Sequence, residues 1–165
     1  MSADGQLAFW PDDEDRQIAV VKDERDLCKV GRVGVYFVAY QLERRNVAAT
    51  VAAEGLIYDI LIDVAGHMLK LQVKTSSAVR RAGHKHSPSV QYAFGLHRRY
   101  VGGVVDAFAF VALDREEVLF VPATLVDTLS GTSFQPEEFS KGITGFSLAQ
   151  LVDSVKPDRL KLCRI

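Results

Sequence analysis

Asp59, Gln72 and Lys74 place a carboxylate, an amide and an ammonium within one short stretch, YDILIDVAGHMLKLQVKT from Tyr58 to Thr75. A carboxylate can hold a hard divalent cation, an amide can add a neutral oxygen, and an ammonium can offset negative charge on a substrate. Such chemistry needs the three side chains on one surface. Two runs of alternating residues flank Ala65-Gly66, the pattern of a β-hairpin. With a two-residue loop, Val64 faces His67 and Asp59 falls opposite Gln72. Strand side chains alternate with period two. One face is then almost wholly apolar, from Tyr58, Ile60, Ile62 and Val64 across to His67, Leu69, Leu71 and Val73. The other carries Asp59, Leu61, Asp63, Met68, Lys70, Gln72 and Lys74. A three-residue loop with a bulge at Gly66 would slip the register by one and still leave Gln72 and Lys74 on a shared face. On periodicity alone the polar face reads as a solvated one. Its clustering at the end away from the turn, where the strands enter the domain, points instead to a site.

The elements that must position this hairpin belong to a chain of 165 residues with 48% hydrophobic content. That length suffices for one domain that buries roughly 70% of the surface its unfolded chain exposes. Cys28 and Cys163 lie far apart without zinc-ligand spacing, so neither a disulfide framework nor a zinc knuckle is implied. There is no apolar run of about eighteen residues, and the amino terminus carries acids where a signal peptide carries bases. A soluble, cytoplasmic protein with no membrane partner is expected. The net charge of −1 hides a segregation along the chain. Acids crowd the segment from Asp4 to Asp26. From Lys74 to Tyr100 the chain holds Lys74, Arg80, Arg81, Lys85, Arg98 and Arg99 and no acid.

Residues 1–16, with Asp12, Asp13, Glu14 and Asp15 in a row, are expected to form a disordered acidic tail ahead of a domain spanning 17–165. From Gly31 to Arg45, Val35, Val38, Ala39 and Leu42 recur at helical spacing, with Phe37 and Tyr40 widening the stripe and Asn46 as a left-handed stop. Val47 to Ala53 reads as a strand ahead of the hairpin. SSAVRRAGHKHSPS after Thr75 reads as a surface loop, and its His84-Lys85-His86 as solvated rather than metal-binding. Strands are expected at Ser89–Leu96, Val104–Leu113 and Glu117–Val121, the last two paired across Asp114-Arg115-Glu116. A last helix is expected from Ser147, which stands three residues before Gln150 as in a capping box, followed by an edge strand in RLKLCRI. This order describes an α/β fold with a mixed central sheet.

An acid at the start of one strand, followed by a polar residue, any residue and a lysine late in the next, resembles the PD-(D/E)XK nuclease superfamily. Here those residues are Tyr58-Asp59 and Gln72-Val73-Lys74. GRVGVYFVAYQL from Gly31 is similar to the first helix of the group I intron endonuclease and archaeal-resolvase-like branch. QVKT matches that branch's form of the second motif, and VVDAFAFVALDREEVLFVPA resembles its following strand pair. The resemblance covers roughly residues 31–123. It implies a restriction-endonuclease-like fold, a mixed central β-sheet flanked by helices in a single domain. It also implies hydrolysis of phosphodiester bonds at Asp59, Gln72 and Lys74, with Mg²⁺ or Mn²⁺ held by Asp59, Gln72 and the carbonyl of Val73. Lys74 would orient the attacking water or stabilise developing charge. Gln72 stands where the motif usually has an acid. Val35 stands where this branch commonly has a glutamate, for which Glu54 or Glu43 would have to substitute.

Two functions of different kinds follow from these residues. One is a metal-dependent DNA endonuclease whose phosphate contacts come from Arg80, Arg81, Lys85, Arg98 and Arg99, with Tyr92, Phe94 or Tyr100 meeting bases. The other is a catalytically inactive nucleic-acid-binding relative in which Val35 and Gln72 mark a decayed metal site. The expected partner is nucleic acid, DNA in the first reading, and a homo-oligomer is left open.

Overall fold

The first helix, α1, runs over Glu24–Glu43 in the computed structural model, which describes residues 24–64, 66–82, 89–96, 104–126 and 129–140. It begins seven residues before the expected Gly31. It stops where expected: Asn46 adopts φ 57°, and the Val47 amide donates back to Leu42 O at 3.1 Å. Val38 and Leu42 are buried, and Val35, Phe37 and Ala39 pack beside them. Tyr40 departs from the expected stripe; it is 56% exposed, with the Arg44 guanidinium 5.4 Å from its ring centroid.

The central sheet comprises β1 (Ala48–Val51), β2 (Ile60–Val64), β3 (His67–Ser76), β6 (Ala107–Ala112) and β7 (Glu117–Pro122), in the order β1-β2-β3-β6-β7. Only the β3–β6 pairing is parallel, so the sheet is mixed as expected. The hairpin register is the two-residue one, Val64 opposite His67, with Gly66 at φ 80° and its amide bonded to Asp63 Oδ1 at 2.9 Å. β6 is buried along its whole length because both its faces are covered. Ala107, Ala109 and Val111 join the core beneath α1, while Phe108, Phe110 and Ala112 join a second core.

That second core is closed by a smaller sheet, β4 (Arg80–Ala82), β5 (Ser89–Gly95) and β8 (Gly131–Phe134), in the order β4-β5-β8, and by the short helix α2 (Pro136–Phe139). Tyr92, Phe94, Phe134 and Phe139 pack against Phe108 and Phe110 in a cluster of tilted and edge-on rings. Helix, central sheet and second sheet thus form three layers of one mixed α/β domain. β4 lies inside the stretch expected to be a loop, and β8 and α2 fall where no element was expected. The acidic tail, the helix from Ser147 and the strand in RLKLCRI lie outside the described residues. No helix among the described residues is long and apolar enough to cross a membrane.

Candidate active site

Asp59 owes its position to a slip in the hairpin. Ile60 is the register partner of Leu71, yet the Asp59 amide also donates to Leu71 O, at 2.8 Å. Two residues of one strand then face one of the other, as at a β-bulge. Past this point the alternation breaks. Ile60 lies in the core under α1, whereas Tyr58, expected on the same face, packs with the second core, its ring 5.8 Å from Lys70 Nζ. Asp59 is thereby turned onto the start of the QVK segment. Its Oδ2 accepts the Val73 amide at 2.7 Å and the Gln72 side-chain Nε2. Gln72 is 7% exposed, so its amide is oriented by these contacts rather than by water.

Asp59, Gln72, Val73 and Lys74 line an open cleft of about 800 Å³. The opposite wall comes from the amino-terminal half of α1 through Cys28, Gly31, Arg32, Val35 and Tyr36. The β1–β2 connection, including Glu54, closes the third side. α1 reaches the cleft because Gly34 lets it settle directly on β3. A Cβ at Gly34 would lie 1.9 Å from Thr75 Oγ1, far inside contact distance. Thr75 Oγ1 is buried there without a hydrogen-bond partner.

No family model matches the sequence, and no curated protein matches it. Among solved structures, the fold is similar to that of a bacterial homing endonuclease, I-Ssp6803I, with a TM-score of 0.53 and 17% identity over 75% of this chain and 95% of that one. At that identity the likeness is one of fold.

The structure brings Asp59, Gln72, Val73 and Lys74 together. Arg80 and Arg81 lie on β4, and Lys85, Arg98 and Arg99 lie outside the described residues. Tyr92 and Phe94, expected to meet bases, are core residues at 0% and 5% exposure; β5 is a strand as expected, but with these rings inward. Tyr100 also lies outside the described residues. Of the two acids considered as substitutes at Val35, Glu54 is at the cleft, while Glu43 accepts the Ala49 amide at 2.7 Å and so secures the edge strand β1. Arg32 and Tyr36 at the cleft wall were not singled out from the sequence. Their i, i+4 spacing ahead of and behind Val35 was the available signal.

The donor set suits a hard cation that keeps part of its water shell. One carboxylate, one main-chain carbonyl and one amide oxygen can meet it, with Glu54 on the same cleft. Among the described residues no three His, Cys, Asp or Glu side chains form a metal-holding group, so protein carboxylates alone would not complete the shell. Gln72 directs its nitrogen at Asp59, and turning the amide over would present the oxygen instead.

Proposed function

We propose that this chain is a DNA endonuclease of the PD-(D/E)XK superfamily, in the branch with the QVK form of the motif, hydrolysing phosphodiester bonds with Mg²⁺ or Mn²⁺. The observation that carries the reading is the meeting of Asp59, Gln72 and Lys74 in one cleft beside the amino-terminal half of α1. A fold similar to that of a bacterial homing endonuclease supports it.

When bound, the cation would neutralise charge on the scissile phosphate and acidify a coordinated water. Asp59, Gln72 through its amide oxygen, and the Val73 carbonyl would hold it. The Val73 amide fixes the Asp59 carboxylate, so little reorganisation is needed at the moment of reaction. Lys74 would orient the attacking water and stabilise the charge that develops on phosphorus oxygens. Arg32, exposed on the facing wall, is placed to meet a neighbouring phosphate.

Supercoiled plasmid tests this directly. Nicking is expected with Mg²⁺ or Mn²⁺ and not with Ca²⁺, and Lys74→Ala should abolish it while leaving DNA affinity largely intact. A second reading, DNA binding without hydrolysis, is favoured by one observation: Val35 occupies the cleft wall where a helix carboxylate would complete the metal shell. Under that reading the wild-type chain binds but does not nick, and Val35→Glu confers cleavage.

A further inference from the structure

The outer face of the second sheet gathers polar and small side chains and carries no acid. Register places Arg80 opposite Gln91, Ala93 opposite Ser133, and Gly95 opposite Gly131. Because Tyr92 and Phe94 point into the core, these alternate residues point outward, and together they line a shallow trough. No acid occurs anywhere in β4, β5 or β8. Ser133 Oγ donates to Gln91 Oε1 at 3.0 Å, which fixes the plane of the Gln91 amide while leaving that oxygen a second lone pair.

Gly95 is not explained by the fold. Its φ is not left-handed, and an added Cβ would meet nothing within 4 Å among the described residues. A strand glycine without a local cause costs stability and marks places where something outside approaches closely. With Ala93 beside it, the floor between the polar side chains stays low.

We propose that this face enters the major groove of duplex DNA and reads base edges through Arg80, Gln91 and Ser133. The assignment rests on the endonuclease reading above and names the surface that would select its target. The positive charge of Arg80, with no acid on the sheet to oppose it, suits a polyanion. A guanidinium matches the acceptor pair of guanine, a carboxamide matches the donor and acceptor of adenine, and a hydroxyl serves either. Each neighbouring pair of strands, β4–β5 or β5–β8, has its axes about 4.8 Å apart and forms a two-stranded ribbon of the kind a major groove about 12 Å wide admits. The deep, narrow major groove of duplex RNA would not admit them.

The test is selection of duplexes from a randomised DNA library by the wild-type chain in Ca²⁺, followed by titration of variants against the selected pool. Gly95→Tyr adds a β-favouring side chain where a Cβ meets none of the described residues, so its thermal unfolding should lie at or above wild type while its affinity for selected duplex falls at least about tenfold. Gln91→Ala should lose about tenfold discrimination at one or two positions of the selected site and keep wild-type affinity for unselected duplex. An equal-length RNA duplex should fail to compete. Wild-type affinity in Gly95→Tyr together with an unchanged selected site in Gln91→Ala would overturn the assignment and leave the endonuclease reading standing. Equal competition by the RNA duplex would also overturn it. A wild-type chain that binds no duplex at all would remove both.

Discussion

Two buried hydroxyls, one under each covering layer of the central sheet, are treated in opposite ways. On the second-sheet side the Tyr92 hydroxyl donates to the Asp114 carboxylate, 2.9 and 3.1 Å from its two oxygens. On the helix side Thr75 Oγ1 has no partner, and α1 packs over it at Gly34. A buried hydroxyl without a partner costs about 1–3 kcal/mol. The satisfied contact holds scaffold; the unsatisfied one lies next in sequence to Lys74 and sets how near α1 stands to the cleft. Closeness of the helix to β3 is therefore favoured over local hydrogen bonding at the place where chemistry is proposed.

Breaking the site itself gives the largest effect. Asp59→Asn keeps the shape and an acceptor for the Val73 amide but removes the charge, so plasmid nicking should fall at least about 100-fold. Duplex affinity and the denaturation midpoint should change little. A variant that cleaves at the wild-type rate would place the catalytic carboxylate elsewhere. Next in size is the helix contact. Gly34→Ala forces a methyl group into Thr75 and should destabilise the fold by about 1–3 kcal/mol in urea denaturation. Thr75→Ala in the same chain should recover part of that loss, since the nearest clashing atom, Oγ1, is then gone.

The hairpin, the β6–β7 pair and the Asn46 stop were legible in the sequence because each depends on neighbours close in the chain. Alternation, a short turn and one left-handed residue suffice. β4 and β8 were not. β4 is three residues long, and β8 reads Gly-Thr-Ser-Phe with no apolar alternation; both exist through pairing with β5. The same cause hid which way β5 faces, since alternation says that two faces exist but not which one meets a core formed by distant Phe108 and Phe110. Asp59, Gln72 and Lys74 could be grouped from register alone. The bulge that moves Tyr58 to the other core could not, because nothing in Tyr58-Asp59-Ile60 marks it. The close approach at Gly34 also needed the packed helix to be seen.

The satisfied hydroxyl offers a smaller and pH-dependent contrast. Burial, then the hydrogen bond to Asp114 and its negative charge, push the Tyr92 phenol up from 10.0 to about 12, with Arg115 opposing. The folded state thus favours the protonated phenol. Its contribution is fully present below the unfolded value near pH 10 and is lost as pH rises through about 12. Tyr92→Phe should cost about 1–2 kcal/mol at neutral pH by removing a hydrogen bond to a charged acceptor. It should also show a shallower loss of stability than wild type between pH 10 and 12, read from denaturant midpoints across that range.

The smallest effect has the opposite sign. Thr75→Val removes the unpaired hydroxyl packed under Gly34, and the desolvation cost of that group goes with it. The incoming methyl is larger than the oxygen it replaces and presses on α1 at Gly34, which offsets part of the gain. The balance should be a stabilisation of up to about 1 kcal/mol in urea denaturation, where Tyr92→Phe gives a loss. If α1 is displaced as this packing requires, Lys74 and the facing Arg32 move apart and plasmid nicking should weaken severalfold although the fold is firmer. A Thr75→Val chain less stable than wild type would mean that the hydroxyl is satisfied in solution, and the contrast between the two faces of the sheet would then disappear.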